Sequence, residues 1–182
     1  SFNASAYAGA IEAKEKLGAT LKYVEAPDAN QFEPMLKDFA KKEDVDLIIA
    51  IGVSQSDAVK KISAQYPSKK FLIIDAEVKG PNVSSALFQE HEGSYLVGAL
   101  AMLKSKTGVV GFIGGMDIPL IRRFQLGYVA GAKAINPKAK VIVNYVGVTG
   151  DAWHNPAKTK ELALAQISEK ADVIFHAAGA SG

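Results

Sequence analysis

The feature that most constrains the fold is a repeated unit in which an apolar run ends in glycine and leads into a helix. The segment 108–128, GVVGFIGGMDIPLIRRFQLGY, contains the whole unit, with Gly114 and Gly115 closing the apolar run and Pro119 near the helix start. Such a pattern is typical of a strand, a tight turn and a helix. It predicts a helix N-terminus beside the carboxyl end of a strand, where backbone N–H groups can meet a ligand.

The same alternation continues along the chain and predicts a parallel α/β fold with helices on both faces of the sheet. The runs at 46–53 and 70–75 are continuously apolar, as expected for strands that are covered on both faces. The most apolar helix, predicted at 90–104, should be substantially buried. Other strands are predicted at 21–25, 82–88, 140–146 and 172–176, and other helices include 4–17 and one that Asn155 and Pro156 begin near 156–170.

Composition narrows the classes of function. A net charge of +2 over 182 residues gives no basic patch, so neither nucleic acid nor anionic lipid is an expected partner. The chain has no cysteine, which excludes disulfides and thiol chemistry within it and suits an extracytoplasmic compartment. The apolar stretch at 93–103 is much shorter than the roughly 20 residues that a membrane-spanning helix needs.

The ends of the chain and one internal segment suggest a domain organisation. The chain begins on a helix start with no strand before it and closes on a loop that should lead into a helix. We therefore expect part of a longer protein, lacking a first strand and a carboxyl-terminal portion. The segment SKTG at 105–108 resembles a crossing between two lobes, which places a first lobe at 1–105 and the start of a second at 106–182.

The sequence contains no strong motif for catalysis or for the binding of a cofactor or metal. GFIGGM has too few correctly spaced glycines for a dinucleotide fingerprint, and no Gly-Lys-Ser/Thr follows it. His91, His154 and His176 lack the spacing of a metal site, and there is no Gly-x-Ser-x-Gly nucleophile elbow. We expect neither a metal nor a cofactor, and no catalytic residues.

Ligand binding at the carboxyl ends of the strands is the better hypothesis. Asp75 closes an apolar strand, where it either caps a turn or accepts hydrogen bonds from two vicinal sugar hydroxyls. Asp117 is interpreted as a helix cap. The aromatic residues Phe2, Trp153 and Phe175 fall in or next to carboxyl-end loops, where their rings would suit a planar base. Together with Asp75 they suggest a nucleoside-like ligand.

Several segments resemble, in order, the basic membrane protein family of ABC-transporter substrate-binding lipoproteins, which includes purine nucleoside receptors. They extend over essentially the whole chain: SFNASAYAG, FLIIDA, EHEGSYLVGALAMLKSKTG, VGFIGGMDIPLIRRFQLGY, NPAK and ADVIFHAAGASG. The resemblance implies a type I periplasmic-binding-protein fold, with two α/β lobes hinged around a ligand cleft and no catalysis.

By the same resemblance, Phe2 would stack on a purine and Asn3 would hydrogen bond to the ligand. Asp75 would accept ribose hydroxyls, and Phe175 would stack on the opposite face. Met116 would lie beside the cleft.

The resemblance also indicates which backbone segment contacts the ligand and which side chain sets the size of the pocket. The segment from Gly179 to Gly182 would close over the ligand, although Ala180 stands where glycine is usual. Trp153 replaces a phenylalanine of many members and changes the size of the pocket.

The implied function is a receptor that binds a purine nucleoside or base and delivers it to a membrane permease. The receptor would be periplasmic or on the cell surface, held at the membrane by a lipid anchor outside this chain. Two alternatives remain open at this point: the ligand-sensing effector domain of a transcription regulator, and a nucleoside-processing enzyme.

Overall fold

The computed structural model describes residues 3–182 and the backbone of Phe2. The chain divides into two compact units, Ser1–Phe88 and Gln89–Gly182. The first unit contains α1 (Phe2–Leu17), α2 (Phe32–Ala40), β1 (Leu47–Ile51), α3 (Ser56–Gln65), β2 (Lys70–Ile74) and β3 (Val83–Ala86). The second contains α4 (Glu90–Lys104), β4 (Val109–Met116), α5 (Pro119–Ile135), β5 (Lys140–Gly147), α6 (Pro156–Ser168) and β6 (Val173–Ala177).

The first unit is built on a three-stranded parallel sheet in the order β1-β2-β3. Helices α2 and α3 cover one face of it, where buried side chains of both strands and helices form a single core. Its members include Leu36, Ile48, Val59, Phe71 and Ile73. The apolar stripe of α2 and the buried run of β2 therefore serve core packing, as the sequence predicts.

Two predictions for this unit are wrong. The segment 21–25 forms no strand, and Tyr23 and Val24 are largely exposed, because no described strand lies beside it to pair with its backbone. The strand β1 is covered on one face only: Leu47 and Ile49 remain 48% and 47% exposed. Helices α2 and α3 pack on the side of Ile48, and within the described residues the side of Leu47 and Ile49 stays uncovered.

The second unit has a parallel sheet in the order β5-β4-β6, with β4 in the middle. Val110 and Phe112 of β4 pack into the core with α4 and α5, whereas Ile113 packs against residues of α6. Helices on both faces of a parallel sheet are thus confirmed for this unit. The predicted start of α6 is also confirmed, since the Asn155 side chain accepts a hydrogen bond from the Lys158 N–H at 3.0 Å.

Helices α4 and α5 pack with their backbones in contact. A Cβ atom at Gly98 would lie 2.0 Å from the Tyr128 carbonyl oxygen, and one at Gly131 would lie 1.9 Å from that of Tyr95. The inner side of α4 is buried as predicted, but its outer side is not, since Leu96 and Leu103 are exposed by 69% and 65%. Glycine at the contact positions is what allows this close approach.

The division between the two units differs from the sequence-based one, which falls between residues 105 and 106. Helix α4 belongs with the second unit, because it packs against α5. The segment 105–108 lies within that unit, where the Asp172 carboxylate holds it by accepting hydrogen bonds from the Ser105 hydroxyl and the Lys106 N–H, both at 2.6 Å. These bonds lower the Asp172 pKa to about 2, the Ser105 bond contributing most.

Candidate functional site

Asp75 follows β2 directly, at the carboxyl end of the middle strand of the first sheet. Its N–H donates to the carbonyl oxygen of Ala86 at 2.8 Å, which continues the pairing with β3. Its φ of +65° lies in the left-handed region, which Asp and Asn tolerate better than other side-chain-bearing residues. The residue is half-buried. A left-handed backbone held in place by a hydrogen bond is a feature that clusters at ligand-binding sites.

The second sheet has two adjacent glycines near the carboxyl end of its middle strand. Gly114 and Gly115 project toward opposite faces of β4, and each leaves room for an aromatic ring. A Cβ at Gly114 would lie 2.7 Å from the Tyr145 ring, and one at Gly115 would lie 2.2 Å from the Trp153 ring. Met116, the last residue of β4, is half-buried beyond them.

Trp153 ends a short 3-10 helical turn, Gly150–Trp153, that follows β5. The indole is half-buried and also lies beside a second turn, Gly179–Ser181, that follows β6. A Cβ at Gly179 would be 3.7 Å from Trp153 Cε3, and Gly179 itself has a left-handed φ of +59°. The structure thus brings Trp153 and Gly179 together at the carboxyl edge of the second sheet.

Sequence reasoning missed Ser181, which joins these two turns. The residue is 3% exposed, and its hydroxyl donates to the Ala152 carbonyl oxygen at 2.7 Å while it accepts from the Asn155 N–H at 2.6 Å. Nothing local to the HAAGASG segment indicates these partners, because they lie more than twenty residues earlier in the chain.

Phe175 packs against two other aromatic rings. It is the third residue of β6 and is half-buried, with its ring centroid 5.9 Å from that of Phe112 and 5.5 Å from that of Tyr128. These contacts place it against the core beneath α5. Its role as a base-stacking residue remains a prediction.

The remaining predicted residues lie at the start and the end of the chain. The side chain of Phe2 lies outside the described residues. Asn3 is exposed in the first turn of α1. Gly182 is exposed, and its backbone contacts the imidazole of His176, since a Cβ there would lie 1.7 Å from His176 Nδ1.

Asp117 is not the helix cap that the sequence predicts. The N-cap of α5 is Ile118, and the Asp117 carboxylate instead accepts hydrogen bonds from Arg122 Nε at 2.5 Å and Nη2 at 2.9 Å. The bond to Arg122 lowers the Asp117 pKa below its ordinary value. Burial, followed by the nearby Asp117 charge, raises the pKa of Tyr145, whose hydroxyl donates to Gln125 Oε1.

Across the described part of the chain, no group of three or more His, Cys, Asp or Glu side chains could hold a metal ion. No helix there is both long enough and apolar enough to span a membrane. The polar and aromatic groups at the two sheet edges can accept hydrogen bonds and contact a planar ring.

A family model described as "ABC transporter substrate-binding protein PnrA-like" matches residues 1–182. The chain belongs to this family, named Bmp. The resemblance found in the sequence motifs is thereby confirmed.

Named relatives agree with this membership. The chain is 37% identical to a CD4+ T-cell-stimulating antigen of Listeria monocytogenes, covering 100% of this chain and 51% of that protein. It is 36% identical to an ABC transporter nucleoside-binding protein, BmpA, of Lactococcus lactis, covering 100% and 52%. An uncharacterized lipoprotein of Pyrococcus horikoshii is 34% identical over 83% of this chain and 40% of its own length. The Bmp chain therefore spans about half the length of the curated relatives it matches.

Solved structures show the same fold. A solute-binding protein of an ABC transporter system from Aeropyrum pernix superposes with a TM-score of 0.83 at 29% identity, over 100% of this chain and 52% of the other. A transcriptional activator of the comK gene from Bacillus halodurans gives 0.76 at 28% identity, over 99% and 60%. The α/β fold of periplasmic solute-binding proteins is thus confirmed for this Bmp chain.

Proposed function

We propose that this Bmp chain is part of the solute-binding component of an ABC importer and that it binds a purine nucleoside or a purine base. The observation that carries the proposal is Asp75, a carboxylate held in a left-handed backbone at the carboxyl end of a central strand. A carboxylate accepts two hydroxyl hydrogen bonds at once, which suits the vicinal hydroxyls of ribose. The name of the Lactococcus relative, a nucleoside-binding protein, supports this class of ligand.

The second unit would contribute the recognition of the base. Trp153 presents a half-buried indole at the carboxyl edge of its sheet, beside Gly115 and the turn at Gly179. A flat aromatic surface contributes on the order of 1 kcal/mol when a planar ring stacks on it. The family resemblance also assigns ligand contacts to Asn3, Phe2, Phe175 and Gly182. Phe175 would reach the ligand only through the part of its ring that the core leaves uncovered.

The proposed receptor performs no catalysis. Its ligand would be released to a permease after a hinge motion, with the affinity difference between open and closed states supplied by contacts from both units. We place the receptor outside the cytoplasm, attached by a lipid anchor beyond residues 1–182, because a relative is named a lipoprotein. A DNA-binding headpiece in the open reading frame would favour the transcription-regulator alternative instead.

The test is calorimetric titration of the protein expressed from its full open reading frame. Adenosine, guanosine, inosine and the free bases are titrated separately, with ribose and an amino acid as controls. Saturable binding of at least one purine, with no binding of the controls, is expected. Absence of binding by every purine contradicts the assignment of ligand class.

Parallel incubation with inosine tests the absence of catalysis. The nucleoside should be recovered intact. Release of hypoxanthine and free ribose would identify the protein as a nucleoside-processing enzyme.

A further inference from the structure

We infer that Ser181 is a positioning residue, whose hydroxyl fixes Trp153 and the Gly179–Gly182 segment for ligand binding. The inference rests on the proposed function, because it assigns these groups to the ligand site. Ser181 itself is buried and would not touch the ligand.

The hydrogen bonds of Ser181 connect two segments that no regular secondary structure joins. The hydroxyl donates to the Ala152 carbonyl oxygen at 2.7 Å and accepts from the Asn155 N–H at 2.6 Å. The Ser181 hydroxyl therefore bonds to residues on both sides of Trp153 in the chain, as a donor on one side and as an acceptor on the other. The 150–155 segment and the 179–182 segment are held as one piece.

Packing around Trp153 also restricts the movement of the 150–155 and 179–182 segments. The indole lies on Gly115 so closely that a Cβ there would be 2.2 Å from its ring, and Gly179 lies beside its Cε3 atom. The indole cannot move toward β4, and the turn that carries Gly179 cannot move away from it while the Ser181 bonds are intact. Ala152 and Ala178, which lie in these two segments, are 3% and 0% exposed and pack in one core cluster with Ile113 and Val146.

A site that is already ordered before binding loses less conformational entropy when the ligand arrives. Removal of the Ser181 hydroxyl leaves the buried Ala152 carbonyl and the Asn155 N–H without this partner, so both turns gain freedom. The effect should therefore appear in ligand affinity as well as in stability. A purely structural serine would lower stability alone.

The experiment compares Ser181→Ala with Ser181→Thr, which keeps the hydroxyl, in the full-length protein. Ser168→Ala is the matched control, since the Ser168 hydroxyl also donates to a backbone carbonyl, that of Leu164 at 3.0 Å, but is exposed on α6. Nucleoside affinity is measured by calorimetry. Amide hydrogen exchange is followed in peptides that cover 150–155 and 179–182.

We expect Ser181→Ala to speed exchange in both peptides and to weaken nucleoside binding about tenfold or more. Ser181→Thr should restore affinity to within about threefold of wild type, and Ser168→Ala should change neither readout. If Ser181→Ala does not fold, Ser181→Cys keeps a similar volume with weaker hydrogen bonds and carries the same test.

Wild-type affinity in a folded Ser181→Ala variant overturns the inference, whatever its melting temperature. Unchanged exchange in both peptides overturns it as well. If the wild-type protein binds no purine, the proposed function fails, and the exchange measurement alone then decides whether Ser181 joins the two turns.

Discussion

Substitution of Gly131 by alanine tests the backbone contact between α4 and α5. The added Cβ would lie 1.9 Å from the Tyr95 carbonyl oxygen, about 1.5 Å short of the 3.4 Å at which ordinary contacts begin. Overpacking costs about 1–3 kcal/mol, and the upper end applies because a main-chain carbonyl cannot rotate away as a side chain can. Alanine returns about 1 kcal/mol through its higher helix propensity. The free energy of unfolding should fall by about 2 kcal/mol.

Urea denaturation followed by circular dichroism measures this change. Gly93→Ala is the matched control, since Gly93 lies in α4 and nothing is within 4 Å of its Cβ position. That variant should gain up to about 1 kcal/mol. If Gly131→Ala is as stable as Gly93→Ala, the close packing of the two helices is refuted.

Three further changes test other parts of the structure. Asp172→Asn should lower the free energy of unfolding at pH 7. The difference from wild type should shrink as pH falls from about 4 to about 2, because the pKa of Asp172 is about 2 in the folded state and about 3.9 in the unfolded state. Acid titrations of the stability of both proteins check this. Arg123→Ala should lower the free energy of unfolding, measured by urea denaturation, by roughly 3 kcal/mol. The reason is that it removes two hydrogen bonds from the Glu90 carboxylate, whose side chain is only 3% exposed. Adding Glu90→Gln should recover part of this loss. Asp75→Ala should weaken nucleoside binding, measured by calorimetry, by roughly 1–3 kcal/mol and should weaken the binding of a free base by less. Equal losses for the two ligands would contradict a role of Asp75 in ribose recognition.

The alternation of strands and helices could be predicted from the sequence because local signals bound each element. Proline at the start of α5 determines that helix end through its backbone, and Asn155 determines the start of α6 through its side-chain cap. The segment 21–25 shows the opposite case. Its apolar residues have strand propensity, but a strand needs a neighbour, and no local signal tells whether one is present.

The candidate site could be predicted only in part. Asp75 and Trp153 could be proposed as site residues because ligands of parallel sheets bind at the carboxyl ends of the strands. The pairing of Ser181 with the Ala152 carbonyl and the Asn155 N–H depends on two turns meeting in space, so no spacing in the sequence indicates it. The place of α4 in the second unit likewise depends on its packing against α5, which the SKTG segment after it does not reveal.

The most direct test of the proposed ligand class is to identify the small molecules that co-purify with the full-length protein, by mass spectrometry after denaturation. We expect a purine nucleoside or purine base in near-stoichiometric amount, depleted from an Asp75→Ala preparation. A sugar or an amino acid present at that level instead would contradict the assignment of a purine ligand.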